Sequence, residues 1–121
     1  MRHSFSEGEN MNIQETKKGK VNILSVEGRL DSMSSQDFEN RLAKLIDAGN
    51  VRIALDCAKL DYLSSAGLRA ILSAAKRTKQ TGGKLTLGNP SQQVNEILDI
   101  AGFASILPIF KTIDEAVNAC A

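Results

Sequence analysis

Histidine is nearly absent from this 121-residue chain: the single one, His3, sits in a polar N-terminal stretch. That leaves little for imidazole chemistry and excludes most histidine-based triads and metallohydrolase schemes. Tryptophan is missing, and four Phe and one Tyr are too few for a surface on which bases stack. An excess of one charge sign is missing too. Fifteen Lys and Arg stand against fourteen Asp and Glu, a formal net charge of +1. Proteins that grip nucleic acid neutralise phosphates with a surplus of cations, so nucleic acid is excluded as a partner. No apolar run approaches the roughly 20 residues of a membrane span, and residues 1–10 lack the apolar centre of a signal peptide. The expectation is a cytoplasmic protein with no metal, no cofactor and no direct membrane insertion.

Cysteine is scarce as well. Cys57 and Cys120 lie far apart and form no CxxC or other metal spacing. A chain of this size can build a core without a disulfide. Cys57 ends the apolar run Ile53-Ala54-Leu55-Asp56-Cys57 and reads as a buried free thiol, and both cysteines read as structural or inert.

What is present is ordinary globular composition, 42% hydrophobic and 24% charged, at a length that suits one domain. Residues 1–11 are read as a flexible leader, an alternative start or a vector-derived remnant, and residues 12–121 as the domain. Asn12–Lys17 and Lys20–Glu27 flank Gly19 and predict a β-hairpin. Gly28-Arg29-Leu30-Asp31 then breaks the strand, and Ser32 and Ser34 offer caps for a helix with Phe38, Leu42, Leu45 and Ile46 on one face. Gly49-Asn50 ends that helix. Val51–Cys57 reads as a strand covered on both faces, and residues 58–64 as a loop. A helix from about Ser65 to Gln80 carries the stripe Leu68, Ile71, Leu72 and Ala75. Lys84–Gly88 is a strand, Ser91 caps a helix with Val94, Ile97, Leu98 and Ala101, and Ile106–Phe110 is an edge strand because of Pro108. Thr112 caps the last helix. The order β-β-α-β-α-β-α-β-α predicts an α/β fold: an open, mostly parallel sheet with an initial hairpin and four helices.

In such sheets functional groups gather where strands end and helices begin. Ser64-Ser65-Ala66-Gly67 is the most informative junction. One reading is structural: Ser64 or Ser65 caps the helix and Gly67 relieves packing, since Gly costs about 1 kcal/mol relative to Ala inside a helix. The other is a phosphorylation site, because a phosphate at a helix N-terminus meets free amide hydrogens and the positive end of the dipole. Asp31, at the junction after the second strand, reads as a cap or turn residue before the first helix.

Leu60-Asp61-Tyr62-Leu63-Ser64-Ser65-Ala66-Gly67-Leu68-Arg69-Ala70-Ile71-Leu72 resembles the signature of the STAS family, the anti-sigma factor antagonists and related domains of sulfate transporters. Gly28-Arg29-Leu30-Asp31, Thr81-Gly82-Gly83-Lys84-Leu85 and Val94–Phe103 resemble three further family segments. Four segments in order make the resemblance specific over about residues 12–120. It implies a STAS-like fold and a phosphoacceptor serine at Ser65, with Ser64 standing where the family usually has Asp and Ala66 where it has a second hydroxyl residue. It also implies a partner-binding surface of Asp31, Ser64, Ser65, Ala66, Gly67 and Arg69. The implied function is an anti-sigma factor antagonist that sequesters an anti-sigma factor serine kinase, is switched off by phosphorylation and is restored by a serine phosphatase. The alternative is a structural STAS subunit of a signalling scaffold or transporter complex. A phosphoacceptor receiver using Asp56 lacks the acidic pair that would hold Mg²⁺. An enzyme built on Asp31, Asp56, Asp61, Ser64 and Ser65 lacks a base to activate a hydroxyl; no catalysis is expected.

Overall fold

The computed structural model describes residues 11–121. The expected leader therefore lies outside the described residues except for Met11, which opens the first strand. Strands β1 (Met11–Lys18) and β2 (Val21–Leu30) pair antiparallel around Gly19, whose φ of +61° suits the tight turn. Next come α1 (Ser35–Asp47), β3 (Arg52–Asp56), β4 (Leu60–Leu63), α2 (Ser65–Gln80) and β5 (Lys84–Gly88). The chain closes with α3 (Gln92–Ile100), a 3-10 turn (Phe103–Ser105), β6 (Ile109–Phe110) and α4 (Ile113–Cys120). The sheet order is β1-β2-β3-β5-β6, parallel from β2 onward, with β4 also pairing to β2. The expected fold class, hairpin and four helices are all present.

The period-2 alternation of the strands divides the core in two. Leu24 and Val26 of β2, Ile53 and Leu55 of β3, and Leu85 and Leu87 of β5 join Phe38, Leu42 and Ile71 in the main core under α1 and α2. Val21 and Ala54 point the other way and meet Ala116, Val117 and Cys120 of α4. Thr86, on that second face of β5, donates its hydroxyl to the Ala116 carbonyl at 2.9 Å. This two-sided burial is why β3 reads as continuously apolar.

Several local readings change. The last strand is only Ile109–Phe110, shorter than the expected Ile106–Phe110. β2 does not break at Gly28. It runs on to Leu30 after a register shift between Gly28 and Arg29, with Gly28 at φ +94°. β2 leaves β3 after Ser25 and pairs with β4 from Gly28 on, with Arg29 opposite Tyr62 and Leu30 opposite Leu63 beyond the shift. The segment expected as a loop thus holds a strand. Its buried residues, Leu60 and Leu63, are three apart, so no alternation marks it. On α2 the fully buried side is Gly67, Ala70, Ile71, Ala74 and Thr78, while Leu68, Leu72 and Ala75 are half-buried. The buried face is rotated toward small residues, which let the helix lie close to the strands beneath it.

Both cysteines are free and buried. Burial, reinforced by the neighbouring Asp56 charge, pushes the Cys57 thiol up to about 12, so it stays protonated and unreactive. Cys120 Sγ lies 3.2 Å from the Ile53 carbonyl oxygen.

Phe38 is fully buried in the main core, so Phe38→Ala should cost about 3–5 kcal/mol in urea unfolding. Ile100, at 89% exposed, should tolerate Ile100→Ser with a change within about 0.5 kcal/mol.

Candidate functional site

The candidate site forms where β2 and β4 end side by side. The Leu30 carbonyl accepts the Ser64 N–H at 3.0 Å. Asp31 leaves β2 at that point, and Ser65 begins α2 from it. The pairing therefore brings two segments more than thirty residues apart in sequence to one rim of the sheet.

Ser64 is the helix cap. Its backbone is extended, with φ −95° and ψ 176°, and its Oγ accepts the Gly67 N–H at 3.2 Å. Ser65 is the first helical residue and is exposed. The two serines thus divide the readings that the sequence leaves open: one is engaged in capping, and the other presents its hydroxyl. Gly67 is buried, and a Cβ there would collide with the Leu30 carbonyl oxygen. The small residue is required by close approach within the chain, so Gly67 supports the rim from beneath. Ala66 is half-buried, and Arg69, one turn further along α2, is exposed.

Asp31 organises the turn into α1. Its Oδ1 accepts the N–H groups of Met33 at 3.0 Å and Ser34 at 3.3 Å. Ser34 occupies the N-cap position of α1, but its hydroxyl does not cap that helix. Instead Ser34 Oγ donates to the Arg29 carbonyl at 2.8 Å and accepts the Asp31 N–H at 3.0 Å. Partial burial alone would raise the Asp31 carboxyl. The hydrogen bonds from Met33, Ser34 and Arg29 outweigh it and hold the group below its usual range.

Arg29 is the residue whose part was not legible beforehand. Its guanidinium carbon lies 4.4 Å from the centre of the Tyr62 ring, and its Nε lies 3.4 Å from Asp31 Oδ2. Stacking on one side and a carboxylate on the other position this cation at the rim. The signal was present in the quoted motifs, but Arg29 and Tyr62 become neighbours only once residues 60–63 are a strand. Met33 is the other unforeseen member, 70% exposed between Asp31 and α1.

Asp56 has a local structural part, its Oδ1 accepting the Ala58 N–H at 3.1 Å. Among the described residues no three His, Cys, Asp or Glu side chains gather as a metal site. No helix among them is long and apolar enough to cross a membrane.

Gly67→Ala should lower stability by about 1–3 kcal/mol by overpacking, and Ser64→Ala by about 1 kcal/mol through loss of the cap, both read from denaturant midpoints. The depressed Asp31 carboxyl favours the folded state above the ordinary carboxylate pKa of about 3.9. That contribution is lost as pH falls through the lower folded-state value. The stability gap between wild type and Asp31→Asn should therefore be full at neutral pH and close in acid, as urea unfolding across a pH series would show.

The STAS domain family profile matches residues 12–116. A protein of Bordetella bronchiseptica named as a candidate anti-sigma factor antagonist, BtrV, is 38% identical over 97 residues, covering 80% of this chain and 84% of its own. The anti-sigma-B factor antagonist of Bacillus subtilis is 31% identical over 102 residues, 82% of this chain and 92% of its own. The structure of the Bacillus cell fate determinant SpoIIAA in the phosphorylated form superposes with a TM-score of 0.70 at 19% identity, covering 91% of this chain and 100% of its own. The chain belongs to the STAS domain family.

Proposed function

We propose that this chain is an anti-sigma factor antagonist of the cytoplasm, switched by phosphorylation of Ser65. Unmodified, it binds an anti-sigma factor that is itself a serine kinase. Phosphoryl transfer from that partner's ATP to Ser65 ends the complex, and a serine phosphatase restores it. The observation that carries this reading is the division of labour between the serines: Ser64 Oγ is bound to the Gly67 N–H at 3.2 Å, while Ser65 is exposed at the start of α2. Relatives named as antagonists of anti-sigma factors, and a fold neighbour described in a phosphorylated form, support it.

The physical logic is that of a surface switch. A phosphate of roughly −1.5 to −2 charges at a helix N-terminus meets the positive dipole end and costs the folded domain little. Arg69 stands four residues on, the spacing at which side chains of one helix face can pair. The core below is untouched, so the change falls on whatever docks against the rim of Asp31, Ser65 and Arg69. Catalysis belongs to the partner; this chain supplies the acceptor hydroxyl.

Ser65→Asp should weaken binding to the cognate anti-sigma factor by at least about thirtyfold, since a new charge buried against a docked surface costs roughly 2 kcal/mol or more. Ser65→Ala should bind like wild type and take up no phosphate from the kinase, whereas Ser64→Ala should still be modified. Calorimetry and fragment mass spectrometry read these outcomes. Full-strength binding by Ser65→Asp, or a phosphate mapped elsewhere, would overturn the reading.

A further inference from the structure

The C-terminal half of α2 forms one wall of a groove of about 440 Å³ that runs along β5 toward the segment before β6. That volume lies within the range of small-molecule sites. Its floor is hydrocarbon: Leu72 of α2, Leu85 of β5, and Pro108. Ile106, at the same groove, is 53% exposed and adds to its apolar lining. Three cations edge this floor. Lys76 and Lys79 stand three apart on α2, which places them on one face, and Lys84 opens β5 opposite them. All three are exposed, and among the described residues no carboxylate lines the groove.

These lysines are not accounted for by the fold. Among the described residues the ion pairs are Arg29–Asp31, Arg41–Glu15, Lys59–Glu27 and Arg77–Asp47, and none uses them. Nor do they cap α2. The N–H groups of Thr81, Gly82 and Gly83 bond to carbonyls of its last turn, and Thr81 Oγ1 adds a bond to the Arg77 carbonyl at 2.9 Å. The negative end of the helix dipole, equivalent to about half a charge, is weaker than three ammonium groups.

We propose that this groove binds a small anionic amphiphile. The hydrocarbon tail lies on Leu72, Leu85 and Pro108, with Ile106 closing over it, and a carboxylate or phosphate head sits among Lys76, Lys79 and Lys84. Apolar floor and one-signed rim together select this chemistry. A bare anion leaves the floor uncovered, and a neutral hydrocarbon leaves the cations without a partner. The site is independent of Ser65, at the other end of the same helix.

Dodecyl phosphate below its micelle concentration is a suitable probe, with dodecanol and inorganic phosphate as the tail-only and head-only controls. Calorimetry should show saturable binding of dodecyl phosphate and far weaker binding of either control. The triple variant Lys76→Gln, Lys79→Gln, Lys84→Gln should weaken it by about tenfold or more through loss of the ion contacts, and Ile106→Ser should weaken it through loss of tail contact. Circular dichroism melts serve to confirm that these surface variants fold. Co-sedimentation with phosphatidylglycerol vesicles, set against phosphatidylcholine vesicles, separates the sources: lysine-dependent binding to the anionic vesicles assigns the head to a membrane lipid, and binding of the monomer alone assigns it to a free amphiphile. Absence of binding in both arms, equal binding of inorganic phosphate, or undiminished binding by the triple variant would overturn the proposal. None of these results bears on whether Ser65→Asp releases an anti-sigma factor.

Discussion

The carbonyl oxygen of Leu30 is the point around which the candidate site is assembled. It accepts the Ser64 N–H at 3.0 Å at the end of the β2–β4 pair, and it faces Gly67 so closely that no side chain fits there. One such hydrogen bond contributes only about 1 kcal/mol net. Its consequence is geometrical. With Leu30 and Ser64 held together, Asp31 and Ser65 must leave the sheet side by side, and the first turn of α2 must sit directly against β2. Glycine at position 67 is the condition for that approach, which is why a poor helix former stands in the first turn.

From that constraint follows a division between residues that hold the rim and residues that present it. Ser64, Ser34 and the Asp31 carboxylate are occupied with backbone N–H groups or with one another. Arg29 is held by the Tyr62 ring and Asp31. Ser65, Arg69 and Met33 are exposed on this frame. A rim whose hydrogen bonds are internally satisfied is preorganised, so association need not order it first. The same economy suits a modification that alters surface charge alone: the main core of Phe38, Leu42 and Ile71 lies beneath and need not repack.

Helix α2 connects this rim to the lysine-edged groove. Its sixteen residues span about 24 Å at the usual rise, with small residues against the sheet along much of that length. Its N-terminus meets β2 at Leu30, and its C-terminal half stands over β5. One rigid element thus carries two surfaces of opposite character: a polar rim suited to a docked protein, and an apolar trough ringed by cations.

Where the sequence has a clear period, it determined the structure by itself. Gly19 marked the hairpin, the spacing of Phe38, Leu42 and Ile46 marked α1, and the continuous apolar run of β3 marked a strand buried on both sides, because each pattern reports burial that any partner would satisfy. Ser65 and Asp31 stood out in their motifs as candidate site residues, and the Leu30–Ser64 hydrogen bond brings their segments together. Tertiary structure decided the rest. Whether Ser64 or Ser65 caps α2 depends on which backbone is extended at the end of β4, and β4 carries no alternation of its own; its strand character comes from pairing with the end of β2, from Gly28 to Leu30. The pairing of Arg29 with Tyr62 exists only across those two strands. Likewise, the buried side of α2 was set by how closely Leu30 lets the helix approach, a distance that no periodicity encodes.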